Sequence, residues 1–288
     1  TPRLHGSIAL IGGRLDDLTF ADYREAIAAD SKEIVLFSPA GAQGAYFAQV
    51  GWVDAGGSGG LPDAQTLWTA DGDTLTPDTP VTLRWTNPAG VVFTRTFAVD
   101  RDFMFTITDG VDNRSQAAVA VSPYALVSRY GTPATSGFYI LHEGPLGVFD
   151  GRLEELKYTD LDKSGSVQKK TVGGWAGITD KYWLAAIIPD VTAAVSARFL
   201  HERPLEQDRY QVDFVGSPLT VAAGASGAAR TRVFAGAKEV RLLDRYMEEF
   251  KIDRFDRAID FGWFYFLPTP LFLFLIFIKE TVGNLGIA

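Results

Sequence analysis

Short runs that alternate apolar and polar residues, broken at intervals of about ten positions by turn signals, limit this chain more than any other feature. Val81, Leu83 and Trp85 alternate with Thr82 and Arg84, while Phe93, Phe97 and Val99 alternate with Thr94, Thr96 and Ala98. Asn87-Pro88-Ala89-Gly90 lies between the two runs. A period of two sends every second side chain to one face of a strand, and such a break turns the chain back, so the pair reads as a hairpin. Residues 103–108 and 117–127 flank Asp112-Asn113-Arg114-Ser115 and read the same way. Residues 34–37 read as a short buried strand; 46–53, the apolar run ending at Pro189, 199–214 and 219–235 add further strands. Gly56-Gly57-Ser58-Gly59-Gly60 and Gly224-Ala225-Ser226-Gly227 read as a loop and a turn. The polar stretch 153–172 reads as an exposed hairpin or loop, with Ser164-Gly165-Ser166 as linker. With no βαβ alternation and no exact repeat, the expected fold is mainly β, a large antiparallel sandwich.

At Lys238 the period changes. Val240, Leu243, Met247 and Phe250 are three or four apart, and Glu239, Asp244, Glu248 and Glu249 fill the remaining face, which predicts an amphipathic helix. Residues 261–278 then carry no charge. A spanning helix needs roughly 17–25 apolar residues, but Pro268 and Pro270 interrupt the run. Thr269 can cap a helix with Pro270 at its first position, and Gly283 and Asn284 can stop it. The segment 270–282 is therefore expected to lie on a membrane surface, through Trp263, Leu271, Phe272, Phe274, Leu275, Phe277 and Ile278. A buried core helix is the alternative. The expected division is 1–236 for the β-sandwich and 237–260 for a C-terminal helical segment. Residues 261–288 would hold the surface helix and the start of a transmembrane segment. Thr1-Pro2-Arg3 leads directly into strand-like sequence with no signal-peptide pattern, so the chain reads as part of something longer.

A net charge of −8 disfavours nucleic acid and docking on anionic lipid by charge alone. The chain has no cysteine, which removes disulfides, thiolate catalysis and Cys-ligated zinc. His142-Glu143 and His201-Glu202 each set an imidazole beside a carboxylate, but neighbours on a strand point to opposite faces, so adjacency is not pairing. Asp16-Asp17 and Glu154-Glu155 read as solvated. Trp175 and Trp183 suit core packing, or stacking on a sugar. No phosphate loop or HExxH is present. No catalytic residue, cofactor or metal is expected.

Four segments carry a resemblance: Gly12-Gly13-Arg14-Leu15-Asp16-Asp17-Leu18; Gly131-Thr132-Pro133-Ala134-Thr135-Ser136-Gly137 with His142-Glu143-Gly144-Pro145; Gly174-Trp175-Ala176-Gly177-Ile178-Thr179-Asp180-Lys181-Tyr182-Trp183; and Asp260-Phe261-Gly262-Trp263 through Pro270-Leu271-Phe272 to Val282-Gly283-Asn284-Leu285-Gly286. In order and spacing they resemble the periplasmic domain of the YidC membrane-protein insertase family, in its alphaproteobacterial form. The resemblance implies a galactose mutarotase-like β-supersandwich with C-terminal α-helices, facing the periplasm from the bacterial inner membrane. It implies a chaperone-like role in inserting membrane proteins, alone or with the Sec translocon. The implied partners are inner-membrane lipid, nascent membrane proteins, and the translocon with its periplasmic accessory complex, with no nucleic acid and no enzymatic activity. A carbohydrate-binding or carbohydrate-active sandwich is the second expectation.

Overall fold

The computed structural model describes residues 1–28, 30–57, 59–135 and 141–259. The alternation resolves into eighteen strands among them, in two nine-stranded sheets whose ladders are all antiparallel. The first sheet holds β1 (Leu4–Ala9), β2 (Arg14–Arg24), β3 (Glu33–Phe37), β4 (Tyr46–Asp54), β9 (Val119–Tyr130), β12 (Ser166–Val172), β15 (Ala194–Glu202), β16 (Arg209–Gly216) and β17 (Leu219–Val221). Its order is β1-β2-β4-β9-β16-β15-β12, with β3 against β2 and β17 against β9. The second holds β5 (Thr69–Ala70), β6 (Val81–Thr86), β7 (Val91–Val99), β8 (Met104–Asn113), β10 (Gly144–Phe149), β11 (Arg152–Glu155), β13 (Trp175–Thr179), β14 (Trp183–Ile188) and β18 (Ser226–Ala237). Its order is β11-β10-β13-β14-β18-β8-β7-β6-β5. One buried cluster draws on both sheets: Ala125, Val127, Phe199 and Val212 from the first meet Phe93, Ile107, Ile187 and Val233 from the second. Each large side chain buried here contributes about 1.5–3 kcal/mol relative to exposure.

The expected β6–β7 hairpin forms, with Val81 opposite Phe97 and Trp85 opposite Phe93. Asn87 Oδ1 accepts from the Ala89 and Val91 N–H groups (3.0 and 2.9 Å), which closes the turn. The second expected hairpin does not form. β8 lies between β7 and β18, whereas β9 crosses to the other sheet and pairs with β4, β16 and β17. Residues 114–118 are thus a corner between sheets. Asn113 is fully buried there, donating from Nδ2 to Ala117 O (2.8 Å) and Val221 O (2.9 Å) and accepting from Ser115 Oγ (2.6 Å). One carboxamide meets the polar demand of the corner, so no direct return of the chain is required.

Three other expectations are corrected. The strand at 34–37 is only half-buried, with Leu36 and Phe37 inside and Val35 56% exposed, because β3 hangs on the edge of its sheet. The stretch 153–172 is not a loop: β11 and β12 flank a helix, α1 (Tyr158–Ser164), which buries Tyr158 and Leu161. Gly165, in a left-handed conformation (φ +69°), ends that helix by donating to Leu161 O (2.8 Å), so 164–166 is a helix stop.

The expected amphipathic helix is α2 (Val240–Phe250), which buries Leu242, Leu243 and Tyr246. Lys251 adopts the left-handed conformation and stops it. A 3-10 turn at Phe255–Ala258 follows and sets the buried Phe255 ring edge-on to Trp175 (5.3 Å) and Phe234 (5.4 Å).

Candidate functional site

The residue just ahead of β1 and the helix α2 are tied together. Arg3 reaches Asp22 from Nε (2.9 Å) and Asp102 from Nη1 (3.2 Å), and its fork also grips both oxygens of Glu239, just ahead of α2. Tyr23 donates its hydroxyl to the same Glu239 carboxylate (2.8 Å). From within α2, Arg245 pairs with Asp102, and Tyr246 donates to Asp100. The Arg3 guanidinium lies over the Phe103 ring (4.2 Å), which shields one face of the network from water.

Burial alone would lower the Arg3 pKa; the hydrogen bonds to Glu239 and Asp22 outweigh it and hold the cation charged. Burial alone would raise Glu239, but the bonds from Arg3 and Tyr23 carry it below the usual carboxylate range. Burial, and then the bond to that carboxylate, push the Tyr23 hydroxyl up to about 12. It is a mechanical clasp: three carboxylates, Asp22 from β2, Asp102 from the β7–β8 turn and Glu239 at the start of α2, converge on two arginines, and a fourth, Asp100, holds Tyr246. Beyond α2, Trp175 Nε1 donates to Asp253 O (3.1 Å), pinning the segment that leaves the sandwich.

The residues expected at a membrane surface, Trp263, Leu271, Phe272, Phe274, Leu275, Phe277 and Ile278, lie outside the described residues, as does the whole 270–282 segment. Among the described residues no helix is long and apolar enough to cross a membrane. His142 Nε2 donates to Pro145 O (3.0 Å). His201 Nε2 faces Asp208 Oδ1 (3.0 Å) and Asp162 Oδ1 (3.6 Å), and its ring stacks on Tyr210 (4.8 Å). Glu202, its chain neighbour, pairs with Arg209 instead. Burial and then the hydrogen bond to Asp162 push the Tyr210 hydroxyl up to about 12. This imidazole is wedged between an aromatic ring and two carboxylates and is largely buried, an arrangement that fixes α1 and the loop before β16.

Asp16 corrects a further expectation: it is 5% exposed, its carboxylate tucked beside the largely buried Arg14 guanidinium, whose Nε lies 3.5 Å away. Asp17, one position on, is half-buried and accepts from Ser7 Oγ (2.8 Å). Glu154 pairs with Lys169 (2.9 Å). Trp175 is fully buried, and Trp183 packs on Phe20 (4.6 Å) and Tyr23 (4.9 Å), so both belong to the core. Sequence reasoning did not find the clasp, because its members are scattered from Arg3 to Arg245 and each resembles an ordinary surface charge.

The domain model "YidC periplasmic domain" matches residues 1–274. The chain is 46% identical over 299 aligned residues to Membrane protein insertase YidC of Bradyrhizobium diazoefficiens, covering all of this chain and 48% of that protein. It is 48% identical over 290 residues to the protein of the same name from Rhizobium etli, again covering all of this chain and 48% of the relative. The chain thus spans about half the length of the curated relatives it matches. In fold it is similar to a galactose mutarotase-like protein from Lactobacillus casei, with a TM-score of 0.53, 11% identity, and coverage of 82% of this chain and 98% of that one. A galactose mutarotase related enzyme from Lactobacillus acidophilus gives the same TM-score of 0.53 at 9% identity, covering 82% of this chain and 95% of its own. At such identities the likeness speaks for the supersandwich fold alone. By the family match along its length and by relatives approaching half identity, this chain belongs to the YidC periplasmic domain family.

Proposed function

We propose that this chain is the periplasm-facing domain of an inner-membrane protein insertase, acting as a contact and tethering domain rather than as an enzyme. The observation that carries the reading is the clasp of Arg3, Glu239, Asp102 and Arg245, which joins the start of β1 to α2. A domain held so would transmit position between the start of β1 and α2 without unfolding. Insertion itself belongs to the whole protein, of which the matched relatives are about twice as long. The working division is a sandwich over 1–236, a helical segment over 237–260 and a membrane-proximal piece over 261–288. In this reading 270–282 rests on the periplasmic membrane surface through Leu271, Phe272, Phe274, Leu275, Phe277 and Ile278, with Trp263 at the interface. Half-burial of each apolar side chain from 271 to 278 would contribute roughly 1 kcal/mol. The partners are inner-membrane lipid, nascent membrane proteins, and the Sec translocon with its periplasmic accessory complex.

Liposome flotation of the 288-residue chain tests this. Replacing Phe272, Leu275 and Phe277 with Ser should abolish flotation and leave the far-UV spectrum of the β core unchanged. Equal flotation of variant and parent would refute the membrane role of the segment.

A further inference from the structure

Leu15, Ala48, Val127 and Val212 form one core-facing row across β2, β4, β9 and β16. One position along, Phe47, Ser128 and Gln211 align on the opposite face, with Arg14 and Arg209 at either side. A cavity of about 390 Å³ opens there, walled by these side chains and bounded by the loops at Gly41 and Ala64. That volume lies in the range of small-molecule sites.

Its lining is left unsatisfied. Arg14 Nε, Arg209 Nε and Ser128 Oγ are buried without a hydrogen bond, three of the seven such side-chain atoms among the described residues. Ser128 is 1% exposed. Buried polar groups in native folds are almost always paired; Arg14 Nε has only a long contact to Asp16 (3.5 Å) and the other two atoms have no hydrogen bond, so the cavity asks for a partner that enters it. Both Nε–H groups can only donate and the hydroxyl can donate too, so the partner must supply acceptors.

No carboxylate lines the cavity. Asp16 lies 3.5 Å from Arg14 Nε, and Glu202 bonds a terminal nitrogen of Arg209, both outside the lining. Asp213 takes donors from Arg198 (2.8 Å) and Gln211 (2.6 Å). Arg14 is anchored by Ala64 O (3.1 Å) and lies 6.0 Å from the Phe47 ring, so its guanidinium is fixed before any ligand arrives. Two anchored guanidinium groups with a buried hydroxyl between them match the charge-assisted, directional recognition of an oxyanion. We propose that this cavity binds a small oxyanion, the carboxylate or phosphate of a compact molecule, through Arg14, Ser128 and Arg209.

The test is an NMR titration of the 15N-labelled 288-residue chain in zwitterionic detergent. Inorganic phosphate and succinate are the two probes, and sodium chloride holds ionic strength constant. Saturable shifts of the Arg14 and Arg209 Hε–Nε resonances with either probe support the site, and the tighter probe identifies the chemistry. The net charge of −8 disfavours diffuse anion binding, so a localised response reports the cavity. Arg209→Gln should weaken binding about tenfold or more, the scale of one charge-assisted bond. Ser128→Ala should weaken it by about threefold to tenfold while the melting temperature holds or rises, since the hydroxyl has no partner within the fold. Absence of saturation with both probes, shifts reproduced by chloride alone, or unchanged affinity in both variants would overturn the proposal.

Discussion

Arg95 is the side chain whose removal the fold should feel most. It is 2% exposed and donates from Nε to Asp109 Oδ1 (2.7 Å) and from Nη1 to Gly13 O (2.8 Å), with its guanidinium 5.1 Å from the Trp68 ring. Gly13 has φ +60°, and a Cβ there would stand 2.9 Å from Arg95 Nη1, so glycine lets the β1–β2 turn close on the guanidinium. Arg95→Met keeps the length of the stem and removes the charge, leaving Asp109, 5% exposed, as a buried carboxylate without its cation. Breaking a buried pair from one side costs about 3–5 kcal/mol, a large part of the 5–15 kcal/mol of order that holds a domain. At about 2–4 °C per kcal/mol the melting temperature should fall by about 6–20 °C. Burial pushes the Asp109 carboxyl above its ordinary range even with Arg95 present. A carboxyl raised in the folded state costs stability above its unfolded pKa, so the deficit of the variant should narrow as pH falls from about 7 to about 5. Urea unfolding followed by tryptophan fluorescence gives the numbers. Arg95→Met/Asp109→Leu should regain most of the loss, because a packed apolar pair can replace a buried ion pair. A single-variant loss below about 1 kcal/mol, or a double variant no better than the single, would refute the reasoning.

Three further outcomes are expected. Asn113→Ala should cost about 1–3 kcal/mol in urea unfolding, because the Ala117 and Val221 carbonyls each lose the Nδ2 donor in a buried corner; a change within about 0.5 kcal/mol would count against it. Glu239→Gln should loosen the clasp by less than about 1 kcal/mol, since the carboxylate is 38% exposed and water screens the pair. The Glu239 carboxyl is depressed in the folded state, so its contribution is complete above its unfolded pKa and lost as pH falls through the folded value. The gap between variant and parent should therefore close on acidification to about pH 3, and a gap that widens would sink the assignment. Incubation with a panel of aldoses should leave anomer interconversion at background in the parent, because His201 is wedged on Tyr210 and Asp208; a rate removed by His201→Ala or His142→Ala would reverse that expectation.

Local signals were legible where the partner was also local. The β6–β7 hairpin could be read because both strands and their Asn87-centred turn lie within twenty residues of chain, and α2 because its period of three and four lies within one helix. The family could be read from four spaced segments, and the glycines of the first and third now have reasons. Gly13 admits Arg95, and a Cβ on Gly174 (φ +78°) would stand 2.2 Å from Val148 O. α1 was missed because a seven-residue helix has no stability of its own and forms only by burying Tyr158 and Leu161.

What the sequence determined by itself is the material of the sandwich: which stretches are extended, which face of each is apolar, where the period changes to helical, and which family these patterns belong to. Only the tertiary structure decided who pairs with whom. The alternation in β8 and β9 is equally satisfied by a hairpin or by placement in separate sheets, because period two fixes a face and not a neighbour. Charges were less legible still. Asp16 and Asp17 are consecutive, yet one is buried beside Arg14 and the other is half-buried and accepts from Ser7, because successive side chains of a strand leave it on opposite faces. The clasp from Arg3 to Arg245 and the cavity of Arg14, Ser128 and Arg209 exist only after the sheets close. Burial and electrostatics depend on what lies within a few ångströms, and the folded chain brings there residues that the sequence holds far apart.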